Sequence, residues 1–330
     1  MKEATIEAVF KGQAYGGVAA RLLANGMNVN ALRTNATTLR KDEWKQYDEA
    51  VLKAALRRLQ GVADLERLGL VFDLGGKGMS KTILEWETAS DMGDASMNMD
   101  AVNRGDTDRP EYVLNGLPLP IIFKDFDINL RVLEASRNGG SPLDTTNAEA
   151  AAEKVAEKAE NMLFNGASSY SFGGRTIYGY TDYPDRNTYT LGTDWATDTG
   201  QNILTDVRGM KAKAIADRHH GPYMLYIPTA YETKMDDDYY IATDTHQTIR
   251  QRILSIANIM DVKVSDYLTT GNVLLVEMAP TTVRLVKGLG ITNLQWEESG
   301  GLKLLYKVMT IMVPQIRSNQ DGKCGIVHAS

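Results

Sequence analysis

The 330-residue sequence has one cysteine, Cys324, so no disulfide can form within the chain and a cysteine-based metal site lacks partners. It also lacks a long apolar run. The longest, 302–313, is broken by Lys303 and Lys307 and falls short of the roughly 20 residues a membrane helix needs. The start, Met1-Lys2-Glu3-Ala4-Thr5-Ile6-Glu7, carries acids where a secretory leader has its apolar core. These absences predict a soluble protein made in a reducing cytoplasm, with no membrane partner. A basic excess is missing as well: the net charge of -6 argues against a free-standing nucleic-acid binder, because affinity for phosphates rests on clustered Lys and Arg. Neither an internal repeat nor a low-complexity linker divides the chain, so its pieces are expected to share one body.

What is present is enough apolar material, 43% of residues, to bury one large core or two closely joined ones. Charge is unevenly spread. Residues 1–41 hold Lys2, Lys11, Arg21, Arg33, Arg40 and Lys41 against Glu3 and Glu7, a net of +4. The segment 91–116 holds Asp91, Asp94, Asp100, Asp106, Asp108 and Glu111 against Arg104 and Arg109, a net of -4. Two protruding segments of opposite sign can steer one copy onto the next; two ordinary solvated surfaces would read the same way.

The acidic segment sits at the turn of an arm. Thr82-Ile83-Leu84-Glu85-Trp86-Glu87 places Leu84 and Trp86 on one face and Glu85 and Glu87 on the other, the period of a half-buried strand. The chain returns as 117–128, where Pro118 and Pro120 cannot donate ladder hydrogen bonds and so demand an edge. An isolated two-stranded ribbon is at best marginally stable in water, and a loop of about 26 residues exceeds the usual length of an unstructured connection. The ribbon therefore needs a neighbour, most economically a second copy of the chain.

Around it lie helical patterns. Asp42 can cap a helix whose apolar positions Trp44, Tyr47, Val51, Ala55, Leu56 and Leu59 share a face. Thr146-Asn147-Ala148-Glu149 reads as a capping box, followed by an Ala-rich stripe ending at Asn165-Gly166. Residues 28–40, rich in Asn and Thr, read as an extended arm, and 170–200 as loops and short strands. From 202 the pattern alternates: helices near 205–218 and 245–259, strands near 223–227, 262–264, 272–278 and 282–286, a mixed α/β region. A long strand at 302–316 and a short one at 324–328 close the chain.

No catalytic signal stands out. Gly75-Gly76-Lys77-Gly78 lacks the Ser or Thr that follows the lysine of a phosphate loop and reads as a hinge at the base of the ribbon. His219-His220 has no helical partner at the spacing of a zinc site. Asp236-Asp237-Asp238 lacks the alternate-residue spacing of a calcium loop and reads as a solvated turn. His246 and His328 stand alone, without a serine elbow or cysteine nucleophile nearby. No enzyme, cofactor or metal is expected. Met92, Met97 and Met99 offer adaptable contacts at an intersubunit surface, or are incidental to a loose loop.

The order of these elements carries a resemblance: a helix opening Asp42-Glu43-Trp44, a long ribbon, Phe126-Asp127-Ile128-Asn129-Leu130-Arg131, the Ala-rich helix ending Asn165-Gly166, Ile177-Tyr178-Gly179-Tyr180, and Gly221-Pro222 leading into a strand. From about residue 32 onward the chain resembles the encapsulin-like branch of the HK97-fold major capsid proteins of tailed double-stranded DNA phages. The resemblance implies an α+β fold with an N-terminal arm (1–41), an N-terminal helix and hinge (42–79), an extended loop or β-ribbon (80–130), a peripheral domain (131–201) with a spine helix at 146–166, an axial domain (202–299), and C-terminal strands returning to the peripheral domain (300–330). The arm, longer than in most cellular encapsulins, favours a phage shell. The implied partners are the protein itself in pentamers and hexamers, together with portal, scaffolding and decoration proteins, around double-stranded DNA held without sequence-specific contacts. The implied location is the virion, assembled in the bacterial host cytoplasm. Assembly contacts are expected from Trp86, Asp91, Met92, Met97, Met99, Asp100, Arg104, Asp106 and Arg109 of the ribbon and from Arg33, Arg40 and Lys41 of the arm. Some members of the fold crosslink a loop lysine to an asparagine; no lysine lies between Lys81 and Lys124, so a noncovalent shell is expected. The other readings are an encapsulin compartment enclosing a cargo enzyme and, from a different class, a soluble α/β enzyme or ligand-binding protein.

Overall fold

The computed structural model describes residues 48–55, 59–75, 78–95, 97, 99, 107–129, 131, 145–239, 247–298 and 303–330. A helical stretch at 48–55 precedes α1 (Gly61–Arg67), β1 (Val71–Asp73), β2 (Ile83–Ala89), β3 (Tyr112–Pro118) and β4 (Ile122–Asn129). Then come α2 (Thr146–Asn165), β5 (Ala167–Phe172), β6 (Arg175–Ile177), β7 (Asn187–Tyr189), α3 (Gly200–Ala216) and β8 (Tyr223–Pro228). After a 3-10 turn at Thr229–Tyr231, the chain adds α4 (Glu232–Met235), α5 (Ile249–Leu254), β9 (Ile259–Ser265), β10 (Val273–Glu277), β11 (Val283–Glu298), β12 (Lys303–Ile316) and β13 (Ile326–Ala329). The chain divides into two units: Met1–Ala55 with Phe123–Val155 and Ile291–Met309, and Leu56–Ile122 with Ala156–Gly290 and Thr310–Ser330. A four-stranded sheet runs in the order β1-β11-β12-β4.

In the first unit, alternation along β4 sorts its side chains. Phe126 stacks on Tyr306 with ring centroids 5.1 Å apart. On the opposite face, Asp125 and Asp127 meet Lys307 and Lys303, each at 3.5 Å, and the Lys307 ammonium also sits 4.4 Å from the centre of the Phe123 ring. Exposed cross-strand pairs of this kind contribute about 0.2–1 kcal/mol each. The alternating pattern predicted for 302–316 holds over Lys303–Lys307 but gives way to burial of every residue from Val308 to Ile316, the mark of a strand covered on both faces.

The second unit holds a five-stranded sheet in the order β7-β13-β10-β8-β9. β10 runs antiparallel to β13 and β8, while β8 with β9 and β13 with β7 are parallel. Every residue of β8, β10 and β13 is buried, which explains their unbroken apolar runs. α3 lays Ile203, Val207, Met210 and Ala214 into the same core as Leu225, Ile227, Leu275 and Val327. Its first turn is capped by Thr199, whose hydroxyl accepts from the Asn202 amide at 3.4 Å. Of the helix expected at 245–259, the described residues from 247 on form the shorter α5, which begins with a capping box between Thr248 and Gln251.

α2 is the predicted Ala-rich helix, with one shift at its start. The hydroxyl that reaches Glu149 belongs to Thr145, donating at 2.7 Å. Toward the C-terminal end of α2, Phe164 meets Tyr180 and Tyr226 edge to face at 5.6 and 5.2 Å. There Glu160, only 1% exposed, accepts from the amides of Gln60 (3.2 Å), Gly61 (2.5 Å) and Val62 (3.2 Å). A carboxylate thus caps the N-terminus of α1 from a hundred residues away, meeting donors that the helix cannot satisfy itself. Gly61 leaves the room for it, since a Cβ there would lie 2.8 Å from a Leu163 methyl. Burial pushes the Glu160 carboxyl up to about 7, against the downward pull of the three amides. Asp64, one turn along α1, takes Arg67 at 3.0 Å and the Tyr226 hydroxyl at 3.3 Å, and burial raises it too.

Candidate assembly interface

β2 and β3 form the ribbon, seven antiparallel pairs from Ile83 opposite Pro118 to Ala89 opposite Tyr112. The ladder continues past its named ends: the Leu119 amide donates to Thr82 O at 2.8 Å and the Ser90 amide to Glu111 O at 2.8 Å. One face carries Leu84, Trp86 and Thr88 against Leu117, Asn115 and Val113. Burial falls along it: Leu84 and Leu117 are buried, Trp86 and Asn115 half-buried, and Val113 is 46% exposed. The root is fixed because Leu84, Leu117 and Leu119 join Leu74, Met162, Ile177, Val286, Ile311 and Val313 in one core. The Asn115 amide donates to Thr88 Oγ1 at 2.7 Å, tying the strands together beyond the last buried pair. Near the base, Gly78 passes so close to the backbone of Gly288 that a Cβ would overlap it at 2.1 Å. Close approach, more than a freely turning hinge, accounts for glycine there; Gly76 and Lys77 lie outside the described residues.

The return strand begins earlier than its prolines suggest. Tyr112 to Gly116, read as the end of the polar loop, already pair with Ala89 to Glu85. Pro118 ends β3, and β4 starts afresh at Ile122, so neither Pro118 nor Pro120 interrupts a ladder.

At the far end, the Gly93 amide donates to Asp108 Oδ2 at 2.8 Å and the Glu111 amide to Ser90 Oγ at 2.9 Å. Asp91 and Asp108 turn carboxylate oxygens to the Met92 and Arg109 amides at 3.1 and 2.8 Å. Met92 is 57% exposed, and Met97 and Met99 are fully exposed. The structure therefore gathers Trp86 on the shaft and Asp91, Met92, Met97, Met99 and Arg109 toward the end of one ribbon. Asp100, Arg104, Asp106, Arg33, Arg40 and Lys41 lie outside the described residues, as do the arm at 28–40 and His246.

Sequence reasoning missed Arg175. The β5–β6 hairpin turns through Gly173 and Gly174, both at positive φ, a conformation that favours glycine. It sets the Arg175 guanidinium against β3, where Nη2 donates to Leu114 O at 3.1 Å. The Gly-Gly dipeptide was the available signal. Between this hairpin, the half-buried face of the ribbon and the chain following β12 lies a groove of about 470 Å³. Trp86, Leu117 and Ile316 supply apolar surface, and Arg175 and Arg317 supply positive charge. At its edge, Ser318 Oγ donates to Asp185 Oδ2 at 2.5 Å.

The titratable motifs form structural pairs. His219 Nδ1 meets Glu277 Oε2, and Glu277 also accepts from the Gly221 amide at 3.0 Å and the Thr282 hydroxyl at 2.6 Å. Hydrogen bonding to Glu277 raises His219. Glu277 is lowered because its hydrogen bonds to His219, Thr282 and Gly221 outweigh an opposing burial. Arg186 Nε donates to His328 Nδ1 at 3.3 Å, and His328 Nε2 faces Asn272 Oδ1 at 2.8 Å. This neutral tautomer suits a ring whose burial pushes it down to about 4. Asp236 and Asp237 turn to different cations, Arg250 at 3.9 Å and Lys234 at 3.0 Å. Among the described residues no three His, Cys, Asp or Glu side chains converge as a metal site, and no helix is long and apolar enough to cross a membrane.

With rooted ribbon, spine helix and five-stranded sheet in place, the chain has the HK97-like α+β fold of phage capsids and encapsulin-type shells. It is similar to the virus-like particle from Pyrococcus furiosus, at 16% identity over 87% of this chain and 98% of that one, with a TM-score of 0.61. It is also similar to the capsid of Myoviridae phage XM1, at 12% identity over 80% and 91% of the two chains, with a TM-score of 0.62. Among curated proteins, the type 1 encapsulin shell protein of Myxococcus xanthus (strain DK1622) is 28% identical over 192 residues, 57% of this chain and 61% of its own length. The chain thus spans less than two thirds of that relative. Residues 30–329 match the model of a family of unknown function, DUF6260, and the chain belongs to that family.

Proposed function

We propose that this protein is the major capsid protein of a tailed phage, assembling through pentamers and hexamers into an icosahedral shell around double-stranded DNA. The observation that carries the reading is the ribbon: its root is fixed in the core of its own unit, while its end presents exposed methionines and acids. A closed shell sums many such modest interfaces into a large total resistance. Its role is structural, without a reaction of its own. Ribbon and arm lock neighbours noncovalently, since no lysine lies between Lys81 and Lys124. Portal, scaffolding and decoration proteins are the further partners of such a virion shell, which is built in the host cytoplasm.

The likeness to the Myxococcus shell protein favours a second reading, a protein-filled encapsulin compartment. Electron microscopy of the purified protein, with nuclease treatment of its contents, separates the two. Closed particles that protect DNA and carry a portal vertex support the phage capsid. Small spheres, empty or filled with another protein, support the compartment, and a persistent monomer with a ligand-filled cleft overturns both.

A further inference from the structure

One buried acid belongs to none of the assembly features above. Glu160, 1% exposed on α2, holds three consecutive backbone amides: Oε1 accepts from Gln60 at 3.2 Å and Gly61 at 2.5 Å, and Oε2 from Val62 at 3.2 Å. The groups packed around it do little to favour its charge. α1 brings Asp64, a second acid that opposes ionisation of the first and whose own partners are Arg67 and the Tyr226 hydroxyl of β8. Tyr180, after β6, is fully buried, its hydroxyl has no hydrogen-bond partner among the described residues, and it feels the charges of Glu160 and Asp64. Lys263 and Asp261 of β9 act on Asp64 with opposite signs. Three N–H donors favour the anion, but a dry site disfavours it more, and the folded carboxyl sits at about 7.

We propose that Glu160 is a proton-operated latch: protonated, it keeps the first turn of α1 closed on α2, and on losing its proton it lets that turn open to water. A neutral carboxyl accepts from the amides with no charge to desolvate. The anion makes stronger bonds in a site that denies it water, and opening restores the water. Gly61 lies so close to α2 that a Cβ would stand 2.8 Å from a Leu163 methyl and 3.2 Å from Glu160 Oε1, so hydrating the anion means moving the turn. Release stops at β1. The Leu285 amide donates to Leu70 O at 2.8 Å and the Leu74 amide to Lys287 O at 3.0 Å, which keeps the strand after α1 on β11 and leaves Leu74 in the core at the ribbon's root. An open, hydrated carboxyl titrates near 4.5 and the closed one near 7, so the closed state holds the extra proton between those values. The opening equilibrium therefore climbs as pH rises through that window and levels off above it. The latch is built within one chain, whatever that chain assembles into.

Hydrogen exchange on the full chain tests it, read at the amides of Gln60, Gly61 and Val62 and corrected for each amide's intrinsic rate at each pH. The opening equilibrium there is expected to rise about tenfold per pH unit between 4.5 and 7 and to stay level above. Above 7 it is expected to exceed, by at least about tenfold, that of the Leu74, Leu225 and Leu275 amides, which open only with the body of the fold. In Glu160→Gln, which keeps an acceptor and has no proton to lose, the slope is expected to vanish. An opening equilibrium that is flat or falls with pH overturns the latch. So does a slope that persists in Glu160→Gln, and so does opening at 60–62 no more frequent than at Leu225 and Leu275, which would mean that the turn moves only when the whole body unfolds. A second measurement needs no variant. The infrared band of protonated carboxyl groups in the wild-type protein is expected to show a step with its midpoint near 7, and a band lost without such a step overturns the proposal.

Discussion

The five-stranded sheet and the ribbon solve the problem of a β-strand's two faces in opposite ways. β8, β10 and β13 cover both faces within the chain and leave no residue exposed. The ribbon covers one face only at its root, at Leu84 and Leu117, and along that face burial falls through Trp86 and Asn115 to Val113. The first arrangement gives a body whose stability is intrinsic. The second gives an extension whose far end, among the described residues, is exposed. Substitutions in the two regions should therefore separate stability from assembly.

The largest effect is expected in the sheet. Leu275→Ala, at a fully buried position of the central strand β10, should cost about 2–5 kcal/mol of unfolding free energy, read by denaturant titration. A fall under about 1 kcal/mol would break the contrast. Next, Glu160→Ala should cost about 3 kcal/mol, because three helix-end amides lose their acceptor in a buried site. Glu160→Gln sharpens this through pH. The carboxyl titrates near 7 folded and near 4.5 unfolded, so the folded state binds more protons between those values. Its contribution is present below pH 4.5 and is lost as pH rises through 7, by about 3 kcal/mol. The glutamine variant should lose that slope. His219 has the same direction by another route: its raised folded value means that the stability from its pair with Glu277 is present below about pH 6.5 and fades as pH climbs through the folded value. His219→Gln should flatten that fading in melting curves.

The smallest stability effect is expected at the ribbon end. Met97→Ser, at a fully exposed side chain, should leave unfolding free energy within about 0.5 kcal/mol of wild type while lowering particle yield. A loss above about 2 kcal/mol would mean that the ribbon end braces its own chain. Boiling assembled particles in detergent with reductant should release only a 36.4 kDa band; a ladder would reveal a covalent lock.

The sequence showed whatever rests on local pattern. Alternation at Leu84 and Trp86 located β2, and the Ala-rich stripe located α2 almost to the residue. What it hid depends on distant partners. Glu160 carries no local signal, since its donors lie about a hundred positions earlier. β11 was expected to end near Val286 but continues to Glu298. Its Gly288, Gly290 and Asn293 weaken strand propensity, and pairing within the four-stranded sheet overrides that. Tyr112 to Gly116 were assigned to the loop because their pairing depends on β2, not on their own alternation. Of the candidate assembly residues, Trp86 and the methionines were readable in the sequence, whereas Arg175 needed the hairpin to bring it to the ribbon.

The gradient of burial along the ribbon makes it a cantilever, clamped at Leu84 and Leu117 and exposed, among the described residues, at the other end. Seven residue pairs at about 3.4 Å each span about 20 Å. A tilt of about 5° at the clamp would sweep the free end through about 2 Å, with the ladder itself kept rigid. In the shell proposed above, a polypeptide so built would meet flat and sharply curved neighbourhoods by leaning, without remaking one bond of its core.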